Sequence, residues 1–298
     1  MRLAACLSST ILILATPGLA AASSEASPST CSSDSGWNDT ARPAHIYGNT
    51  WYVGTCGISA ILITTPGGHV LLDGATEKAA PMIEANIRAL GFKVSDIRFI
   101  VSSHEHFDHV GGLAALQRES GAVVVAREPA ASSLERGESE AADPQFGSLR
   151  PFPPVDDVRR IRNGESLALG GLTLTAHATP GHTSGSTSWT WTSCEAQICQ
   201  DMAYADSLTA ISSDAYLFSD EAKHPGSLAA FRQSLEIVAS LPCDILMTPH
   251  PGASGMFERL GPAARESLID PSACKRYSEK AGQRLDARLE KEKAAARP

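Results

Sequence analysis

Short apolar runs separated by glycine- and proline-bearing turns dominate the chain, and two periodicities emerge from them. Ile58 to Thr64 reads as a buried strand, Pro66-Gly67-Gly68 as a turn, and His69 to Asp73 as the returning strand of a hairpin. From Glu77 to Leu90 the apolar positions Ile83, Ile87 and Leu90 recur at helical spacing, with Gly91 as the stop. Ile97 to Val101 is a strand, a helix starts at Leu113, and Ala122 to Ala126 is a short strand. Strand, helix and strand in succession predict an α/β layer. A second hairpin joins Glu165–Leu169 to Leu172–Ala176 through Gly170-Gly171, and Thr187 to Thr192 follows as a further strand. Leu228, Phe231, Leu235 and Val238 give a helix one apolar face, which Pro242 ends before a last strand, Cys243 to Met247.

Other stretches lack a clean period. Trp37 to Tyr52 reads as an irregular aromatic arm whose rings are expected to pack on the body rather than wall a site. Ala130 to Pro154, with Asp143-Pro144 and Pro151-Phe152-Pro153-Pro154, reads as a connector bending over a site; Gln145 and Phe146 are its candidate substrate contacts. Met202 to Ser207 is expected to start a loop. The charged tail after Pro262 carries like-charged pairs at i,i+4, Arg284–Arg288 and Asp286–Glu290, and predicts a solvated helix that frays.

The N-terminus changes the setting. Arg2 precedes a mostly apolar run from Leu3 to Ala15, then Pro17-Gly18-Leu19 and Ala20-Ala21-Ala22. That is the pattern of a secretory signal over residues 1–22, cleaved after Ala20 or Ala22. The run is short for a membrane span, so no stable membrane anchor is expected. Cys6 precedes most of the apolar run, which argues against lipidation. With Cys6 removed, Cys31, Cys56, Cys194, Cys199, Cys243 and Cys274 remain, and an even set in an exported chain predicts disulfides. Position favours Cys31–Cys56, Cys194–Cys199 and Cys243–Cys274. The periplasm is the expected destination. A net charge of -8 with no basic stripe disfavours a nucleic-acid partner.

The chemistry concentrates in Ser102 to Gly112, Ser-Ser-His-Glu-His-Phe-Asp-His-Val-Gly-Gly. His104, His106, Asp108 and His109 all suit zinc or another borderline metal. In extended backbone His104 and His106 face one way, while Asp108 and His109 lie beyond the turn and reach a neighbouring position. Two further loops present a histidine after a strand: His182 behind Pro180-Gly181, and His250 between Pro249 and Pro251-Gly252. The economical partition is His104, His106 and His182 for one metal and Asp108, His109 and His250 for a second, each with an open position as in catalytic zinc sites. His177, His69 and His224 lack such a context. Asp73 is better placed to hydrogen-bond the backbone of the metal loop than to ligate.

His-x-His-x-Asp-His followed by Pro-Gly-His and a late Pro-His resembles the metallo-β-lactamase superfamily. Val53-Gly54-Thr55 with Ile58 to Asp73, Pro180 to Thr192, Tyr204-Ala205-Asp206-Ser207-Leu208 and Leu241 to Gly252 together resemble its subclass B3. The similarity runs from about Trp37 to Gly255. It implies an α/β fold of the αββα sandwich type, as a single domain over 23–298 with an N-terminal arm and a C-terminal helical tail. It implies two zinc ions per chain in a shallow groove between two sheets, and hydrolysis of the β-lactam amide by a metal-activated hydroxide without a covalent intermediate. Asp108 is then catalytic, binding the second zinc and orienting the hydroxide. Ser207 and Thr209 hold the carboxylate of the small-molecule β-lactam, directly or through water. With no lysine near Ser207, a lysine clamp is not expected, and a monomer is the expected state. Asp206 keeps a second reading open. Hydrolytic relatives place a metal-bridging aspartate in this segment, which implies a glyoxalase II-like thioesterase or a lactonase. An exported metal-binding protein without catalysis is the third reading. The Ser207-Leu208-Thr209 run, the Trp189/Trp191 pair and the export signal favour the lactamase.

Overall fold

Why the apolar runs are continuous rather than alternating is clear from the computed structural model, which describes residues 31–32, 34–261 and 264–296. The expected signal at 1–22 lies outside the described residues. Seven strands form one sheet in chain order: β1 (Ala44–Tyr47), β2 (Thr50–Tyr52), β3 (Ile61–Thr65), β4 (Gly68–Leu72), β5 (Ile97–Val101), β6 (Val123–Ala126) and β7 (Arg159–Arg160). The first four pair antiparallel and the rest parallel. The second sheet contains β8 (Ser166–Leu169), β9 (Leu172–Ala178), β10 (Thr187–Glu195), β11 (Ile198–Tyr204) and β12 (Ile245–Met247), ordered β12-β11-β10-β9-β8.

The strands are covered on both faces. Ile61, Ile63, Val70, Leu72 and Val101 meet Leu174, Trp189, Met202, Tyr204 and Ile245 between the sheets. Their neighbours Leu62, Leu71, Ile100 and Val124 point to the other side, against α1 (Ala80–Ala89), α3 (Leu113–Ser120) and α4 (Ala130–Arg136). The short α2 (Phe107–Val110) precedes α3. On the far side of the second sheet, Ala203 and Leu246 pack with α5 (Ser227–Ala239) and α7 (Ala273–Ala295), whereas the one-turn α6 (Met256–Arg259) adds Met256 and Phe257 to the cluster between the sheets. Period-two side chains buried on both faces read as unbroken hydrophobic runs. The result is the expected αββα sandwich. The three expected disulfides are all present, with Cys194 directly opposite Cys199 across β10 and β11.

Four expectations change. The arm 37–52 is irregular only as far as Pro43, because β1 and β2 form a hairpin on the sheet edge. The connector 130–154 begins with α4, whose single large apolar residue, Leu134, is too sparse to show a period. Met202 to Tyr204 end strand β11 instead of starting a loop. The tail does not fray in solvent. Helix α7 runs unbroken to Ala295 and buries Cys274, Tyr277, Ala281 and Leu285 on one face against the α5 cluster. That face is built largely of small residues, so mean hydropathy does not reveal it. Glu292, near its end, is buried and accepts the Phe218 and Ser219 amides. Among the described residues no helix is long and apolar enough to cross a membrane.

Candidate metal centre

Each ligand-bearing loop leaves the end of a strand and is pinned by buried hydrogen bonds. After β4, Asp73 takes a left-handed conformation (φ 61°), and its carboxylate accepts the Ser103 amide and hydroxyl, both at 2.7 Å. The Tyr204 hydroxyl donates to the same carboxylate at 2.8 Å. Ser103 is thereby fixed, and the chain bends at Ser103 and Glu105 before α2 starts at Phe107. The helical turn carries Asp108 and His109 to the neighbouring position. On the second sheet, β9 leads through Pro180-Gly181 to His182. Gly181 has φ +151°, and a Cβ there would come within 2.5 Å of the Phe231 ring, so this turn needs glycine. His250 follows β12, where Ser59 Oγ donates to the Thr248 carbonyl at 2.7 Å and ties the loop to the first sheet.

These loops converge on two triads. Ligand atoms of His104, His106 and His182 lie within 4.8 Å of one another, as do those of Asp108, His109 and His250. The triads are contiguous, since the His104 and His109 rings are 4.2 Å apart. Asp108 Oδ2 stands 3.2 Å from His109 Nε2 and 3.5 Å from His250 Nε2. His104 Nε2 is fully buried with no hydrogen-bond partner, a cost that a cation in the first triad removes. The donor set, five imidazoles and a carboxylate, fits a borderline divalent metal such as zinc.

The electrostatics match that fit. Burial, reinforced by His109 and His182, holds His104 far below the ordinary histidine range. Burial also lowers His182 to about 3 and His250 to about 4. Neutral imidazoles are the form that ligates. Burial works to raise Asp108, but His109, His104 and His250 outweigh it and keep the carboxylate ionised. At Glu105, between His104 and His106, burial dominates and pushes the carboxyl up to about 7, against the Thr183 hydroxyl that donates to it.

The sequence reading did not assign the groups behind the ligands. His104 Nδ1 donates to Asp206 Oδ1 at 2.8 Å, and His106 Nε2 to Asp143 Oδ2 at 2.9 Å. A carboxylate only accepts, so these nitrogens carry the protons. That leaves His104 Nε2 and His106 Nδ1 with lone pairs for a cation, the arrangement that orients ligating histidines. His182 Nδ1 bonds the Thr209 carbonyl at 3.0 Å and lies 2.8 Å from its hydroxyl. Thr209, expected at the substrate, therefore also holds His182. Asp206 belongs to neither triad; it is fully buried against His104 Nδ1, and its other carboxylate oxygen, Oδ2, has no hydrogen-bond partner. Ser207 is buried beside it.

Of the connector residues, Gln145 reaches the site, with Nε2 3.5 Å from His106 Nδ1, whereas Phe146 is 51% exposed. Trp37 departs from the packing expectation. Its ring stands 5.7 Å from Phe107 and 6.1 Å from His250, half-exposed at the rim of the second triad. Only the arm's route past α2 puts it there, and no spacing in the sequence signals that.

The sequence model of the metallo-β-lactamase superfamily matches residues 53–250. The chain is similar to a UPF0173 metal-dependent hydrolase of Anaeromyxobacter sp. (strain K), 39% identical over 85 residues. That match covers 28% of this chain and 28% of the relative, so the chain spans little over a quarter of that curated relative. It is similar along nearly its whole length to MEM-A1, a subclass B3 metallo-β-lactamase isolated from a soil metagenome library. Identity is 44% and the TM-score 0.84, over 87% of this chain and 100% of that one. It is also similar to the metallo-β-lactamase MIM-1 from Novosphingobium pentaromativorans, at 50% identity and a TM-score of 0.84, over 88% and 94% of the two chains. The chain belongs to the metallo-β-lactamase superfamily, within its subclass B3.

Proposed function

We propose that this protein hydrolyses the amide bond of β-lactam antibiotics with a zinc ion held in each triad. The observation that carries the reading is the pair of contiguous three-ligand sets, neither of which fills a tetrahedral shell from the protein alone. Bound zinc supplies Lewis acidity and acidifies a water toward neutral pH. His104, His106 and His182 form the first set, and Asp108, His109 and His250 the second. Asp108, ionised and central to the second triad, orients the attacking water. Thr209, which bonds His182, and Ser207, next to Asp206, hold the substrate carboxylate, directly or through water. Gln145 contacts the substrate from the connector, with Phe146 beyond it on the exposed rim. No side chain has to become covalently attached. The solved relatives described as subclass B3 metallo-β-lactamases support the substrate class. The signal pattern at 1–22 and three disulfides support export to the periplasm, with 23–298 as one mature domain.

The test is hydrolysis of a carbapenem, and of a thioester and a lactone, by the mature protein with and without chelator, with metal content measured on the same sample. Chelator-sensitive β-lactam turnover with two zinc ions is expected. Thioester or lactone turnover without β-lactam turnover refutes the assignment.

A further inference from the structure

Glu105 sits between two metal-site histidines yet belongs to neither triad. The backbone bends at Glu105, and its carboxylate is aimed at the His182 turn rather than at either ligand set. It is 1% exposed. A buried carboxylate is costly unless its oxygens are met by donors, and here both are. Oε2 accepts the Thr183 hydroxyl at 2.8 Å and Oε1 accepts the Gly185 amide at 3.1 Å. Those donors lie one and three residues after His182, on the turn that delivers the third ligand of the first triad. A Cβ on Gly185 would come within 2.5 Å of Glu105 Oε2 and of the Ala130 side chain, so glycine is what lets the carboxylate approach.

The rest of the turn is equally fastened. Ser186 Oγ accepts the Thr183 amide at 3.1 Å, and the Arg127 guanidinium bonds the Ser186 carbonyl and the Thr187 hydroxyl, each at 3.2 Å. Arg127 also interacts favourably with the Glu105 charge. The turn is therefore held between a carboxylate from the first sheet's metal loop and a guanidinium from the end of β6.

We propose that Glu105 is a positioning residue that locks the His182 turn onto the His104–His106 loop and so sets the zinc affinity of the first triad selectively, without touching metal or substrate. This rests on the two-zinc reading above. His104 and His106 come from one loop and are fixed by chain connectivity. His182 comes from the other sheet, and its distance from them depends on links between the sheets. Glu105 supplies the link nearest to it.

The test is cobalt(II) and zinc titration of the metal-free mature protein, read by visible absorption and by competition with a chromophoric chelator. A parallel titration of Asp108→Asn, which cripples the second triad, identifies which step belongs to which site. Glu105→Gln keeps the volume but cannot accept both donors. Its first-triad affinity is expected to fall roughly tenfold to a hundredfold, the usual effect of removing a group that orients ligands. The second-triad step and the melting temperature of the metal-free protein should stay near wild type. Thr183→Val should show the same selective loss and Thr183→Ser should restore wild-type affinity; these two carry the test if Glu105→Gln does not fold. Unchanged affinities in Glu105→Gln and Thr183→Val overturn the proposal, and so does an equal loss at both sites. A wild-type protein that takes up no metal at the first triad removes the two-zinc reading and this proposal with it. A normal wild type with indifferent variants removes this proposal alone.

Discussion

Replacing Asp206 separates the two enzymatic readings of the site, because each gives that carboxylate a different task. As a bridging ligand it would hold the second metal, and its loss would empty that site. In the structure it instead accepts the His104 Nδ1 proton at 2.8 Å, with both partners fully buried. A hydrogen bond to a charged group contributes about 1.5–3 kcal/mol. At about 1.4 kcal/mol per factor of ten, that is roughly tenfold to a hundredfold in first-triad affinity. Asp206→Asn keeps an acceptor and loses the charge, so the lower end, roughly tenfold, is expected. Asp206→Ala removes the acceptor and leaves the His104 Nδ1 proton unpaired in the core, which moves the loss to roughly a hundredfold.

Stability separates this effect from unfolding. Burial pushes the Asp206 carboxyl above its ordinary range, with His182 the largest influence pulling it back. Keeping an ion there is therefore unfavourable in the metal-free protein, and Asp206→Asn should melt no lower than wild type before metal is added. The assay is a zinc titration of the metal-free protein against a chromophoric chelator, beside a melting curve without metal. Selective weakening of the first triad is expected. Loss of the second metal in Asp206→Asn, with the first retained, refutes the placement of Asp206 behind His104 and revives the bridging aspartate.

Three further outcomes follow from the geometry. Leu285→Ala on α7, at a fully buried position, should cost about 2–5 kcal/mol and lower the urea midpoint at constant slope; a change near zero would mean that the helix is solvated after all. Chelation should abolish hydrolysis and lower the melting temperature, and zinc should restore both; at free zinc 100 times its Kd the stabilisation is about 2.7 kcal/mol per site, so a melting temperature indifferent to zinc refutes binding to the folded state. Ser207→Ala should raise KM for carboxylate-bearing substrates at unchanged metal content, whereas Thr209→Val, which strips the hydroxyl 2.8 Å from His182, should also weaken first-triad metal binding; identical behaviour of the two variants counts against the division of labour.

The six candidate donors that the structure gathers were legible in the sequence and the groups that aim them were not, for a reason of distance along the chain. His104, His106, Asp108 and His109 occupy a single hexapeptide, and His182 and His250 each follow a strand through a proline-marked turn. Strand ends and turns are written locally, so the fold layers and the six ligands can be read together. The partners of those ligands come from elsewhere: Asp143 lies 37 residues from His106, Asp206 lies 102 from His104, and Thr209 lies 27 from His182. Asp143 sits in a connector with no period. Asp206 sits in a segment that, as a string of residues, leaves a second chemistry open. What separates the two is which side of the His104 ring the carboxylate occupies, and that depends on how β11 is placed across the sandwich from β5. The same holds for α7, whose buried face of Ala, Cys, Ser, Tyr and Leu acquires meaning only once α5 is packed beside it. The sequence of a metal site thus names its donors, while the choice between a ligand and the group that steers one is made by the packing of the two sheets.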